Sequence, residues 1–110
     1  MIEPEFWSDG CVWIGHSDHT EEAASLADFA LHELKVTNWC FFQTSGSEGR
    51  RKWVGLTKES LLVSARAVNM RYNITANDRW LLALPIYHVG GFGVLARAFV
   101  SGSQVTRLEG

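Results

Sequence analysis

The chain has 110 residues, enough for one domain but not for two. Apolar residues make up 46 % of the sequence and include five tryptophans, so a modest core can form. The net charge of −2 provides no general attraction for nucleic acid or for a membrane surface.

The cysteines and the N-terminus narrow the class of protein further. Cys11 and Cys40 are far apart and form no CxxC pattern, which fits a reducing cytosol and argues against a zinc site. No N-terminal apolar run reaches the length of a signal peptide or a membrane span. We therefore expect a cytoplasmic protein without a bound metal, with one domain over residues 1–110.

The first 35 residues are predicted to be a leader of one strand and one helix. Cys11–Ile14 is a short strand between two glycines. Asp18 and Glu21 resemble a capping box, and the following apolar spacing predicts a helix over residues 19–34 with one buried stripe. His16 and His19 beside Asp18 allow a metal site, but zinc requires three or four converging ligands, so surface or capping roles are preferred.

Residues 36–110 are predicted to alternate strands and helices. Thr37–Thr44 and Lys52–Leu56 are strand-like and are joined by a hairpin-like turn. Thr57 caps a helix over residues 58–72, whose buried face consists of Leu61, Ala65, Val68 and Tyr72.

The last third of the chain repeats the alternation. The apolar run Trp80–Leu84 is typical of a strand covered on both faces. A helix over residues 90–100 ends at a glycine, and residues 103–108 form a last strand. The order predicts an α/β fold with a mostly parallel sheet and flanking helices. Ligands gather at the carboxyl ends of such strands, so residues 44–52 and 85–91 should face one crevice.

The turn at residues 44–52 has the composition of a polyphosphate cradle. Glycines let backbone N–H groups turn inward, hydroxyls donate hydrogen bonds, and a lysine supplies a positive charge. The candidate phosphate-binding residues are Thr44, Ser45, Gly46, Ser47, Gly49 and Lys52. The spacing is neither GxxxxGK followed by Ser or Thr nor GxGxxG. A solvated polar hairpin turn is the alternative interpretation.

A second candidate site follows the strand at residues 80–84. His88 could hydrogen-bond a carboxylate or act as a gate, and Gly90 and Gly91 would let an acyl group approach the backbone. The alternative is a histidine satisfied at a strand end, with glycines that only begin a helix.

Together, the Thr-Ser-Gly-Ser-x-Gly-x-x-Lys pattern and Leu84–Phe92 resemble two motifs of the adenylate-forming, or AMP-binding, acyl-CoA synthetases and ligases. The resemblance covers residues 36–110. Within that superfamily, the wording of residues 80–91 and the short leader are most similar to the o-succinylbenzoate–CoA ligases of menaquinone synthesis. Three residues depart from the usual pattern: Glu48 stands for Thr, Arg51 for Pro, and Trp53 for the Gly after the lysine.

The resemblance implies part of an acid–thiol ligase that uses ATP with Mg²⁺ and coenzyme A as substrates. Residues 44–52 would hold the β- and γ-phosphates, and His88, Gly90 and Gly91 would line the pocket of a small carboxylic acid. The family's later motifs for adenine, ribose and catalysis are not among these residues. We therefore expect a piece of an enzyme that needs the remainder of the fold or a second chain, with no ligase turnover by itself and no catalytic residue assigned within it.

Two other functions remain open from the sequence. A non-catalytic α/β module could keep the anion-binding turn without chemistry, and an incomplete sheet would invite self-association. Nucleic-acid binding through Arg50, Arg51 and Lys52 is weak, because three cations in one turn form no extended basic stripe.

Overall fold

A computed structural model of the chain describes residues 2–15, 21–44 and 52–108, and its helices and strands alternate as the sequence predicts. The leader and the start of the main segment contain two strands, with an α-helix and a π-helix between them. In chain order, the elements are a 3₁₀-helix Pro4–Ser8, β1 Trp13–Gly15, α1 Glu21–Phe29, a π-helix Ala30–Leu34, β2 Trp39–Gln43, β3 Trp53–Thr57, α2 Lys58–Arg71, β4 Arg79–Leu82, α3 Val89–Ser101 and β5 Gln104–Arg107.

The aromatic strand β2 is the centre of the first sheet. It pairs in parallel with β1, with Ile14 opposite Phe41, and antiparallel with β3, with Phe41 opposite Gly55. The β2–β3 pair confirms the predicted hairpin. Its last ladder pair is Gln43 with Trp53, directly before the turn that carries the phosphate motif.

The described strands form two sheets, and the expectation of one mostly parallel sheet is wrong in this respect. β4 and β5 pair in parallel, with Trp80 opposite Val105, but they do not join the first sheet. The departure from a parallel sheet has a local cause: β3 follows β2 through a hairpin turn and not through a helix, so it folds back antiparallel beside β2. The α/β class and the flanking helices are confirmed, and two of the three strand pairings are parallel.

Helices α2 and α3 follow the sequence prediction closely. The Thr57 hydroxyl accepts a hydrogen bond of 3.0 Å from the backbone N–H of Ser60, so the predicted cap is confirmed. Leu61 and Ala65 are buried as expected. Tyr72 was wrongly placed on the buried face: it lies just past the last residue of α2 and is 68 % exposed. Gly102 ends α3 with φ of 73°.

The leader helix departs further from its predicted stripe. Within that helix Ala30 is buried, but Leu31 and Leu34 are exposed. Because the π-helix at residues 30–34 bonds i to i+5, it changes the angle between successive side chains and interrupts the stripe. The predicted capping box at Asp18 and the neighbouring His16 and His19 lie outside the described residues.

The prediction that the fourth strand is covered on both faces is also wrong. Leu82 is buried, whereas Leu81 and Leu84 are more than half exposed. In the described part of the chain, α3 packs against β4, and the side chain of Leu81 is 58 % exposed.

The core is built around Phe92 of α3, which is fully buried. Its ring lies 4.5 Å from the ring of Trp13, 5.4 Å from Phe42, 5.7 Å from Trp7 and 5.9 Å from Phe6, measured between centroids. Aromatic pairs at these separations add to the energy of apolar burial. Phe92, a residue of the second motif, therefore packs α3 against the leader and the hairpin. In the described part of the chain, the helices are too short or too polar to traverse a bilayer.

Candidate functional site

The base of the hairpin brings two predicted phosphate-binding residues together. The backbone N–H of Thr44 donates to the carbonyl of Lys52 at 2.7 Å, and the N–H of Lys52 donates to Thr44 Oγ1 at 3.2 Å. Oγ1 accepts this bond through one lone pair, which leaves the hydroxyl proton of Thr44 able to donate to an anion. Ser45, Gly46, Ser47 and Gly49 lie outside the described residues, as do Glu48 and Arg51.

The second motif forms the start of α3. His88 is the N-cap residue, with an extended backbone, and its carbonyl accepts from the N–H of Phe92 at 2.9 Å. Its imidazole makes no capping bond and is exposed, so the ring is available to a ligand. The first turn of a helix leaves backbone N–H groups without intrahelical partners and carries partial positive charge. An anionic group near His88 and Gly90 would meet both features.

A single cleft of about 370 Å³ joins the two motifs. Thr44 from the hairpin and His88, Val89 and Gly90 from α3 line it. Phe42, Gln43, Val54 and Leu56 complete the lining, so most of the wall supplied by the strands is apolar. The cleft thus combines apolar surface with a few polar groups, the usual character of a small-molecule site.

The two glycines of the second motif differ in their surroundings. Gly90 is exposed in the cleft. Gly91 is buried, and a Cβ atom placed on it would lie 2.3 Å from the carbonyl oxygen of Pro85 and 2.8 Å from that of Leu84. Gly91 therefore allows α3 to pack against the backbone that leaves β4. Its predicted contact with an acyl group stays a prediction.

Three residues that position the cleft walls were not among the predicted site residues. Gly15 ends β1 against the second motif, since a Cβ there would lie 2.9 Å from the carbonyl oxygen of Tyr87. Glu22 of α1 accepts from Trp53 Nε1 at 2.7 Å, at the hairpin base. Lys58 lies at the opposite end of β3. A close Gly–Tyr or Glu–Trp contact between distant segments leaves no local signal in a sequence.

Lys58 anchors the far end of the hairpin to the leader. Its side chain is 1 % exposed, and Nζ donates to the carbonyl of Phe6 at 2.6 Å and to Asp9 Oδ1 at 2.9 Å. Nζ also lies 3.8 Å from the centroid of the Phe6 ring. The hydrogen bond from Lys58, with a further one from the N–H of Cys11, lowers the pKa of Asp9 below its ordinary value of 3.8. A buried ammonium is tolerated here because it is fully paired.

The thiol of Cys40 lies in β2 between these two ends. It is fully buried, and desolvation raises its pKa to about 12. Both cysteines are free thiols. Among residues 2–15, 21–44 and 52–108, no group of three or more His, Cys, Asp or Glu side chains could share a metal ion.

Comparisons with known proteins agree with the two motifs. The sequence profile of the AMP-binding enzyme family matches residues 12–110. The chain is 34 % identical over 85 residues to a 2-succinylbenzoate–CoA ligase of Bacillus velezensis, covering 77 % of this chain and 17 % of that protein. The corresponding ligase of Bacillus subtilis is 37 % identical, with coverage of 77 % and 18 %. The chain thus spans less than a fifth of the length of these curated relatives.

Solved structures show the same likeness in three dimensions. The o-succinylbenzoate CoA synthetase of Bacillus subtilis, solved with the acyl-adenylate intermediate OSB-AMP, aligns with a TM-score of 0.58 at 33 % identity. That alignment covers 63 % of this chain and 18 % of the synthetase. An acyl-CoA synthetase-like protein of Dyadobacter fermentans aligns over 86 % of this chain and 27 % of its own, with a TM-score of 0.59 at 23 % identity, which shows the fold alone. The chain belongs to the AMP-binding enzyme family, and it is similar to the 2-succinylbenzoate–CoA ligases within it.

Proposed function

We propose that this chain supplies the polyphosphate grip and one wall of the acid pocket of an AMP-forming acid–CoA ligase. The observation that carries the proposal is the single cleft lined by Thr44 of the hairpin and by His88 and Gly90 at the start of α3. A polyphosphate tail and an organic acid would have to meet at such a place. The cytoplasmic location expected from the sequence belongs to the same proposal, and the two free thiols support it.

The reaction we propose for the complete enzyme has two steps. A carboxylate oxygen of the acid attacks the α-phosphorus of ATP, and the bond to pyrophosphate breaks, which gives an acyl-adenylate. The thiol of coenzyme A then attacks the acyl carbon and releases AMP. The complexes of the Bacillus subtilis synthetase with AMP and with OSB-AMP support this assignment by likeness. We propose o-succinylbenzoate as the acid for the same reason.

Each described residue has one physical task in this proposal. The ammonium of Lys52 and the hydroxyl of Thr44 stabilise the β- and γ-phosphates and the negative charge that grows on the departing pyrophosphate. His88 and the first N–H groups of α3 hold the acid's carboxylate or its adenylate. Ser45, Gly46, Ser47 and Gly49 complete the grip in this proposal, and Gly91 lines the acid pocket beside Gly90. Magnesium enters with ATP as part of the substrate.

Binding of MgATP to the 110-residue chain, measured by isothermal titration calorimetry, tests the grip. Lys52→Ala should weaken binding about tenfold or more, because it removes a charge-assisted contact of roughly 1.5–3 kcal/mol. Arg107→Ala on β5 removes the same charge far from the cleft lining and serves as the matched control. Equal affinities for the two variants would contradict the proposal.

His88→Ala tests the acid wall separately. It should weaken binding of o-succinylbenzoate more than binding of MgATP, measured by the same titrations. The reverse order would remove His88 from the acid pocket.

A non-catalytic binding or assembly module is the second candidate. Exposed apolar side chains on the leader and on β4 favour it, notably Leu31, Leu34 and Leu81. Pyrophosphate exchange by a longer chain that includes the rest of the family's fold separates the two functions. Exchange supports the ligase, whereas MgATP binding without exchange, together with self-association in sedimentation equilibrium, supports the module.

A further inference from the structure

One carboxylate oxygen of the leader helix touches both arms of the hairpin. Glu22 Oε1 accepts from Trp53 Nε1 at 2.7 Å and from Gln43 Nε2 at 3.4 Å. Gln43 and Trp53 are opposite each other and form the last ladder pair of β2 and β3. The carboxylate therefore bridges the two strands at the point where the ladder ends.

The next pair along the hairpin is Thr44 with Lys52, the two described residues assigned to phosphate binding. Their mutual bonds of 2.7 and 3.2 Å lie directly beyond the bridge. A short hydrogen bond to a carboxylate is stronger than one between neutral groups. The bridge thus adds a side-chain link between the two arms from which the phosphate-binding side chains extend, next to their own backbone bonds.

The contact between Glu22 and the hairpin lies outside the hydrophobic core. Glu22 is exposed, and α1 itself has no buried residue. Gln43, in contrast, lines the cleft. The effect of the bridge should therefore be confined to the hairpin base. The bridge also gives a physical reason for Trp53, a departure from the family pattern, because a glycine there would have no side chain to donate.

We propose that Glu22 is a positioning residue that sets the geometry of Thr44 and Lys52 through Gln43 and Trp53. The positioning itself is independent of what the turn binds. Its consequence for affinity rests on the proposed function. Two measurements on the whole chain test the positioning and its effect on affinity independently.

Amide hydrogen exchange, followed by NMR, tests the positioning without a ligand. Glu22→Ala should speed exchange of the Thr44 amide severalfold and leave the Phe41 amide, deeper in the ladder, unchanged. Glu22→Gln keeps an acceptor oxygen and should restore the slow exchange. Uniform acceleration of both amides, or no change at Thr44, would overturn the positioning role.

The affinity for MgATP tests whether the positioning matters for binding. The change that we expect is opposite in sign to the one that simple electrostatics predicts. Removing a negative charge near a phosphate site should by itself tighten binding. We expect Glu22→Ala to weaken it about threefold to tenfold, the loss of one hydrogen-bonded constraint. Glu21→Ala, one residue away on the same exposed turn, removes the same charge without touching Gln43 or Trp53. It should bind MgATP as tightly as wild type or slightly more tightly.

One further variant tests the donor side of the bridge. Trp53→Phe keeps a ring but removes the Nε1 donor, and should weaken MgATP binding as Glu22→Ala does. Glu22→Ala binding as tightly as Glu21→Ala would refute the effect on affinity. Absence of MgATP binding by the wild-type chain would count against the proposed function instead, and the Thr44 exchange result would still decide the positioning role.

Discussion

The two walls of the cleft are held by different forces. The α3 wall is fixed by packing: Phe92 is fully buried among four aromatic rings, and Gly91 lies against the Pro85 carbonyl. The hairpin wall shares that packing through Phe42, and Lys58 fixes its far end by a buried ion pair, but its turn end is held by the exposed Glu22. Losing packing inside a core costs more than losing an exposed hydrogen bond such as that of Glu22. The packing around α3 should therefore govern stability, whereas the turn end of the hairpin should govern ligand geometry.

Phe92→Ala should have the largest effect. Removing this ring from the centre of the aromatic cluster should cost about 3–5 kcal/mol of unfolding free energy, a large part of what a domain of this size possesses. Urea unfolding followed by circular dichroism measures it. Met70→Ala, at a side chain that is 81 % exposed, should stay within about 0.5 kcal/mol of wild type. A loss below 1 kcal/mol at Phe92 would show that packing does not fix this wall.

Gly91→Ala and Gly93→Ala form a matched pair on one helix. The added methyl at residue 91 must displace the Pro85 backbone, so we expect a cost of about 1–3 kcal/mol or more. At residue 93 the nearest atoms belong to the flexible end of Arg97, at 3.4 Å. Alanine there should stabilise the chain by up to about 1 kcal/mol through its higher helix propensity. Thermal unfolding of both variants checks the difference in sign.

The polar end of the hairpin wall should respond to pH. The pKa of Asp9 is lowered in the folded state, so the unfolded state takes up the proton first as pH falls. The stabilisation by Asp9 is therefore present above about pH 3.8, its ordinary pKa, and is lost as pH falls through the lower folded value. Urea midpoints of wild type and Asp9→Asn, measured from pH 6 to pH 2.5, should differ most at the upper end and converge at the lower. A constant difference would contradict the ion pair with Lys58.

The rate at which Cys40 is modified shows whether β2, in the middle of the hairpin wall, becomes exposed. This is the smallest of the expected effects. At pH 8 iodoacetamide should modify the exposed Cys11 quickly and leave Cys40 intact, because Cys40 is buried and its pKa is raised to about 12. Mass spectrometry of the native chain counts the modified thiols. Equal rates for the two cysteines would mean that β2 is not held in place.

The sequence predicts the helices and strands that form the cleft walls better than it predicts the contacts that align these walls. The extent of α2, its Thr57 cap and the glycine end of α3 depend on neighbouring residues, and all three are confirmed, whereas the buried face of α2 fails at Tyr72. Which strands share a sheet depends on contacts between distant segments, which no local pattern records. The same holds for Glu22 and Trp53, 31 residues apart, and for Lys58 with Asp9, 49 residues apart. Both contacts depend on the fold already being formed.

The leader helix shows the same limit of sequence-based prediction, because part of its predicted buried stripe is exposed. Leu31 and Leu34 have the spacing of buried residues and are exposed. Helical spacing predicts which residues share a face, but it does not predict what covers that face. The chain spans less than a fifth of its curated relatives' length, and the family's fold extends well beyond these residues.

The central claim is that the hairpin base and the start of α3 line one site, where the phosphates of MgATP and the acid meet. Titration of the ¹⁵N-labelled chain with MgATP in the presence of saturating o-succinylbenzoate, followed by two-dimensional NMR, tests it directly. We expect the amide signals of Thr44 and Gln43 and those of His88 and Gly90 to shift together with one dissociation constant, while those of β5 stay in place. Shifts confined to one wall, or two different dissociation constants for the two walls, would contradict a shared site.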